Sequence, residues 1–272
     1  MIQDISPFIY NNAYQNKLPS EDSYIMYFEE QSALIAESDG EIRFPKFSEW
    51  TDTNTEFIYL FSINDMDYFL ANKVSGVSLS GFHTEGIRIF RNALPRHTSF
   101  AGITAFQLNN WYKNHLYCGK CGCKMTHDTK ERMMYCSECR NMEYPKISPA
   151  VIVAVTDGDK LLLSKYARGT HNNYALIAGF TEIGETIEET VAREVMEEVG
   201  LHVKNIHYYK SQPWSFSDTL LLGFYAELDG EPTITLDKDE LSEAVWISRK
   251  DISVEFDNVS LTNEMIIKFK NN

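Results

Sequence analysis

No apolar run in this sequence comes near the ~20 residues that a bilayer-crossing helix requires, so no membrane partner is expected. Low-complexity tracts and internal repeats are absent too. The opening text, MIQDISPFIYNNAYQNKLPS, has no basic segment followed by an apolar core, so no secretory signal is expected there. Positive charge is the scarce sign: 25 Lys and Arg face 39 Asp and Glu, a formal net charge of −14. That balance opposes general nucleic-acid binding, which wants a basic face. It leaves open a phosphate substrate whose charge a metal masks. Cysteine is missing everywhere except between Cys118 and Cys139. A cytoplasmic location is the simplest expectation. What is present is a 43% hydrophobic share over 272 residues. That is enough for a sizeable core and for two domains or one large one.

The stretch Gly179 to Leu201, GFTEIGETIEETVAREVMEEVGL, reads as a glycine-bounded loop followed by a helix over 186–199. Thr186 can cap that helix with Glu189 as its capping-box partner, and Gly200 stands where a helix would stop. At ~100° per residue, Glu197 and Glu198 project within about 60° of Glu194. Carboxylates that close raise one another's pKa. A hard divalent cation relieves the conflict, since Mg²⁺ and Mn²⁺ prefer carboxylate oxygen. Such a cluster can neutralise a phosphate ester and activate water. Arg193 and Glu185 are expected to pair, tying loop to helix. The bland alternative is a solvated acidic helix face.

All five cysteines lie in CGKCGCKMTHDTKERMMYCSEC. Cys118 and Cys121 form one CxxC, and Cys136 with Cys139 forms another. Two such knuckles can place four thiolates around Zn²⁺. Disulfides are disfavoured where thiols stay reduced. A closed four-cysteine site leaves no position for water, so the expected zinc, one per chain, is structural and supplies folding free energy. Cys123 is a spectator, or a competing ligand in a slipped register. His115 and His127 are unneeded. Lys120, Lys124, Lys130, Arg132 and Arg140 give the segment a basic lean, so a binding role for the ribbon stays open.

Residues 1–112 hold short apolar runs (SYIMYF, ALIAES, FIYLFSI, DYFLANK) that predict a small antiparallel β region, ending in a helix over 99–115. There Phe100, Ile103, Phe106 and Trp111 are expected in a core. From Tyr144 the text becomes α/β. YPKISPAVIVAV is a strand, Asp157-Gly158-Asp159 a hairpin turn, and KLLLSKY a second strand. YALIA leads into the glycine loop. HVKNIHYYKSQPW and DTLLLGFYAEL are two strands joined by a loop that carries SQPWSFSDT. EAVWIS is a late strand, and 260–270 a closing helix. The expectation is a mixed sheet between helices. The expected domains are a β-rich part at 1–112, a ribbon at 113–144 and an α/β part at 145–272.

The acidic stretch resembles, position by position, the Nudix box: Gly179, Glu185, Arg193, Glu194, Val195, Glu197, Glu198, Gly200 and Leu201 all stand where that pattern wants them. Nudix hydrolases cleave a diphosphate linked to another moiety, with a divalent metal. The resemblance implies an α/β/α sandwich, with Glu194 and Glu198 as metal ligands and Glu197 as ligand or base. Arg193 belongs to the same catalytic set. The text Ser211 to Thr219 resembles the SQPWPFPxS signature of the NADH pyrophosphatase branch, which also carries a four-cysteine ribbon ahead of its Nudix domain. Here Ser215 and Ser217 replace two prolines, and Thr219 replaces serine.

That branch resemblance implies hydrolysis of NADH, and less selectively NAD⁺, to nicotinamide mononucleotide and AMP. It implies a dinucleotide pocket lined by Gln212, Pro213, Trp214, Ser215, Phe216, Ser217, Asp218 and Thr219. Trp214 and Phe180 would flank the nicotinamide ring. Arg88, Tyr144 and Thr262 would touch substrate. The Ala178 carbonyl and Glu240 would join the Mg²⁺ or Mn²⁺ ligands, with Glu243 as the rival to Glu240. A homodimer is implied as well. The competing expectations are a Nudix enzyme acting on ADP-ribose or on the NAD cap of an RNA 5′ end, and a non-catalytic zinc-ribbon module that senses a nucleotide.

Overall fold

The computed structural model describes residues 1–72, 74, 76–167 and 174–272. Lys73, the last residue of the DYFLANK run, lies outside them. The chain divides into two compact units, one of residues 2–146 with 215–217, the other of residues 147–214 and 218–272 with Met1.

Ahead of the ribbon, the described residues of the first unit form two small sheets. Glu56–Ile63 and Met66–Asn72 form an antiparallel pair, flanked by Tyr10–Asn11 on one side and Tyr24–Met26 on the other. Tyr24–Met26 runs parallel to its neighbour. The expectation of a purely antiparallel region is corrected there. The SYIMYF run also serves two sheets, since Phe28–Glu29 pairs instead with Ser32–Ser38. Ile25, Tyr27, Leu34, Tyr59 and Phe69 close one core. The helix spans Arg96–Asn114, with Phe100, Ile103, Phe106 and Trp111 all buried, as their spacing predicts.

The ribbon belongs to this unit. Its three short strands, Thr126–His127, Met134–Tyr135 and Met142–Glu143, form an antiparallel sheet. Arg132 extends from the ribbon, and its guanidinium donates to the carbonyls of Leu60 and Asn12. The Tyr14 hydroxyl donates to the Asp128 carbonyl at 3.3 Å.

The second unit has a six-stranded sheet in the order Val203–Trp214, Thr219–Leu228, Ser148–Asp157, Lys160–Tyr166, Leu241–Ser248, with Ile177–Phe180 added along Ser148–Asp157. Ser148–Asp157 pairs parallel with Thr219–Leu228 and antiparallel with its other partners, so the sheet is mixed. The run AVIVAV is buried on both faces, as a central strand between two layers must be. Val151, Val153 and Val155 pack with Val191, Val195 and Val199 of the acidic helix. Ile152 and Ala154 point the other way, toward Leu261, Met265, Ile266 and Phe269 of the closing helix. The period-two alternation of one strand thus feeds two cores.

The strand ends at Trp214 as HVKNIHYYKSQPW predicts, whereas the loop expected to carry SQPWSFSDT is shorter than that text. The SQPW text lies within the strand Val203–Trp214, and the connection to Thr219 is only Ser215–Asp218. Pro213 is tolerated because its strand ends the sheet order, where a missing N–H breaks no ladder.

Candidate active site

The acidic helix runs Ile187–Val199. Thr186 caps it: its hydroxyl accepts from the Glu189 N–H at 3.2 Å, and the Glu189 carboxylate accepts from the Thr186 N–H at 2.8 Å. Gly200 ends it with φ +69°, a left-handed turn that glycine adopts at least cost.

Helical spacing puts Glu194 and Glu198 one turn apart on the face turned inward. Glu194 is 8% exposed and Glu198 only 2%. Glu194 lies against the backbone of Gly179, where an added Cβ would come within 2.0 Å of its carboxyl carbon. Residue 179 must be glycine for the carboxylate to sit there. Burial, then the carboxylates of Glu194 and Glu240, pushes the Glu198 carboxyl up to about 8, against a backbone N–H bond from Ala178. Burial raises Glu194 as well, opposed by Arg193. Glu198 Oε2 is buried without a hydrogen-bond partner.

Arg193 is the organising cation. Its guanidinium donates to Glu185 Oε1 at 2.5 Å and Oε2 at 2.9 Å, to Glu194 Oε1 at 2.7 Å, to Glu197 Oε2 at 2.9 Å and to the Phe180 carbonyl at 2.9 Å. The expected pair with Glu185 is present. Hydrogen bonds from Arg193 and from the Glu182 N–H hold Glu185 down at about 2. Thr190, buried and not singled out from sequence, donates to Glu185 at 3.0 Å. The three carboxylates do not form one crowded cluster. Glu197 is 59% exposed and bound to Arg193, whereas Glu194 and Glu198 form the buried pair.

Glu240 acts electrostatically on both Glu194 and Glu198. Its rival Glu243 is committed elsewhere, paired with Lys165 at 2.7 Å and bonded by the Tyr174 hydroxyl at 3.3 Å. An orphaned carboxylate oxygen beside a second buried carboxylate suits a hard divalent cation, and the donor set is all oxygen. These residues fit such an ion.

The four cysteine sulfurs Cys118, Cys121, Cys136 and Cys139 lie within 4.8 Å of one another, with 3.5 Å between Cys118 and Cys139 and between Cys121 and Cys136. A tetrahedral ZnS₄ centre has sulfurs about 3.8 Å apart, so the set fits zinc. Each knuckle closes by a backbone bond, Gly122 N–H to the Cys118 carbonyl and Arg140 N–H to the Cys136 carbonyl, both 2.9 Å or shorter. Cys123 stands outside the quartet, and His115 bonds the Trp111 carbonyl at 2.7 Å.

The remaining predicted contacts fall in both units. Phe180 is 55% exposed on the loop side of its strand. Gln212 is fully buried, its amide donating to the Val259 carbonyl at 2.9 Å and accepting from the Leu261 N–H at 2.7 Å. Pro213 and Asp218 are exposed, Trp214 and Thr262 half-buried, Thr219 buried. Arg88, Tyr144, Ser215, Phe216 and Ser217 belong to the first unit. There Arg88 is exposed in the turn Ile87–Arg91, Tyr144 donates to Glu131 at 2.8 Å, and Phe216 lies under the Arg91 guanidinium.

Residues 146–268 match the family model of the NUDIX domain, and residues 113–144 that of the NADH pyrophosphatase zinc ribbon domain. The NAD-capped RNA hydrolase NudC of Shigella flexneri is 46% identical over 146 residues, 54% of this chain and 56% of that protein. NudC of Escherichia coli O1:K1 / APEC is 46% identical over 147 residues, with the same shares. The chain thus spans about half the length of the curated relatives it matches. A solved NUDIX hydrolase from Nitrosomonas europaea aligns with a TM-score of 0.49 at 20% identity, covering 57% of this chain and 90% of that one. Within residues 113–268, this chain belongs to the Nudix family, in the form that carries an NADH pyrophosphatase zinc ribbon.

Proposed function

We propose that the chain hydrolyses the diphosphate of NAD(H), yielding nicotinamide mononucleotide and AMP, in the presence of Mg²⁺ or Mn²⁺. The observation that carries this reading is the buried Glu194 and Glu198 pair with its orphaned oxygen. Such a pair is unfavourable alone and is relieved by a cation. Glu194, Glu198, Glu240 and the Ala178 carbonyl would hold the divalent ion. Once bound, such an ion supplies charge neutralisation at the diphosphate and a more acidic water.

The protein's own part is position and charge. Arg193 fixes Glu194 and Glu197 through one guanidinium. Glu197, the most exposed of the three glutamates, is the proposed proton acceptor. The water oxygen bonds to one phosphorus, the bridging oxygen leaves with the electrons of the broken bond, and the water's proton passes to a carboxylate. Phe180 and Trp214 offer flat faces to the nicotinamide ring. Residues 212–219, Arg88, Tyr144 and Thr262 are proposed as further substrate contacts. The four-cysteine site is proposed to hold one structural zinc.

A second substrate, the NAD cap of an RNA, is favoured by one observation: the curated relatives are named as NAD-capped RNA hydrolases. Product analysis from NADH, ADP-ribose and NAD-capped RNA, each with and without Mg²⁺ or Mn²⁺, tests both. Metal-dependent AMP from NADH is expected. Nucleotide binding with no metal-dependent cleavage would instead support a sensing module. We also propose three functional parts (1–112, 113–144, 145–272), a cytoplasmic setting consistent with five free cysteines, and a homodimer, which light scattering would test.

A further inference from the structure

We infer that Tyr166 is a substrate-positioning residue of this site, its hydroxyl donating a hydrogen bond to an anionic oxygen of the bound diphosphate. The inference rests on the hydrolytic reading above. Tyr166 ends the strand Lys160–Tyr166, where a register shift follows Lys165 and sets Tyr166 opposite Leu241. Its main chain is clamped on the Glu240 side. The Ala167 N–H donates to the Glu240 carbonyl at 2.8 Å, and the Ser242 hydroxyl donates to the carbonyls of Lys165 and Tyr166, each at 3.2 Å.

The same turn is fixed from the acidic helix. The Asp237 N–H donates to the Glu198 carbonyl and the Leu241 N–H to the Asp237 carbonyl, both at 2.9 Å. One short chain of backbone bonds therefore mounts Tyr166 and Glu240 on the end of the helix that carries Glu198. The ring is nevertheless 49% exposed. A tyrosine whose main chain is anchored beside that of Glu240, and which is half open to solvent, can meet a group that enters from the solvent side. A phenol is a neutral hydroxyl at pH 7. Neutral, it can donate, and the groups that gather beside a cation-binding carboxylate set are anionic phosphoryl oxygens.

The test is Tyr166→Phe, which removes one oxygen and keeps the ring. Steady-state kinetics on NADH are compared with those of the unsubstituted protein and of Glu198→Gln. Binding of a methylene-bridged, uncleavable dinucleotide analogue and Mn²⁺ affinity without nucleotide are measured in parallel. The expected result is a kcat/KM lower by roughly ten- to a hundredfold, with KM raised. The analogue should bind correspondingly more weakly, while Mn²⁺ affinity and melting temperature stay unchanged. Unchanged KM and analogue affinity would overturn the inference, and so would a loss of Mn²⁺ affinity or of thermal stability that accounts for the kinetic defect. If the unsubstituted protein releases no AMP, the hydrolytic reading fails, and analogue binding still decides the role of Tyr166.

Discussion

A methyl group on residue 179 would stand 2.0 Å from the Glu194 carboxyl carbon. The atoms in the way are the end of the Glu194 side chain, and it is this carboxylate that would have to leave its seat. Gly179→Ala should therefore fold, cap its helix and lose activity by about a hundredfold, the scale of a 1 Å misplacement. Circular dichroism with kcat/KM on NADH checks both halves. Glu198→Gln keeps the shape but removes a buried ionisable group. It should abolish most metal-dependent AMP release. It should also melt at a higher temperature than the unsubstituted protein in metal-free buffer at pH 8, because an amide has no ionisation to suppress. Loss of activity together with a lower metal-free melting temperature would count against the buried-pair account. At this scale the sequence reveals identities and spacing. It does not reveal the approach of Glu194 to Gly179, which is tertiary. Nor does it separate Glu240 from Glu243, since the deciding partner, Lys165, is 78 positions away from Glu243.

Elements divide by how local their causes are. The acidic helix was readable because its cap, its apolar period and its glycine stop are all within a few residues of one another. The ribbon was readable because thiol spacing carries the geometry of the knuckle. Each knuckle turns on a left-handed residue after its second cysteine, Gly122 at φ +75° and Arg140 at φ +60°. Cys118→Ser removes one ligand from that cage. Zinc content should drop from one equivalent toward none, and melting should fall by at least about 5 °C, followed by metal analysis and calorimetry on the same sample. An unchanged melting point would remove the structural role. The strand Val203–Trp214 was readable to its last residue, but its place at the border of the sheet, which lets Pro213 sit there, was not, because sheet order depends on distant pairings. The parallel pairing of Tyr24–Met26 was hidden for the same reason: pairing partners more than 40 residues apart leave no local trace.

Across the whole molecule, charge and acidity set the working window. With no cation bound, burial pushes the Glu198 carboxyl up to about 8 and raises that of Glu194 above its ordinary range, against Arg193. A raised carboxyl favours the folded chain fully below the ordinary carboxylate range, and that contribution is lost as pH climbs through about 8. Glu185 runs the other way: Arg193 holds it at about 2, so its contribution is present above the ordinary range and lost as pH falls through about 2. Metal-stripped protein should therefore melt lower at pH 8 than at pH 6, and added Mn²⁺ should raise the melting temperature more at pH 8. Equal Mn²⁺ shifts at both pH values would contradict the assignment of Glu194 and Glu198. Differential scanning fluorimetry across pH, with and without Mn²⁺, measures this directly.

Gln212 ties together segments 47 and 49 positions apart, through one amide that meets Val259 and Leu261. It works as a latch: the last helix is fastened at its first residue to the outermost strand. A chain cut short ahead of Val259 would take away both partners of that amide and would uncover the sheet face that Leu261, Met265 and Phe269 now shield. The closing helix thus covers one face of that sheet, and trimming it should lower the solubility of the protein.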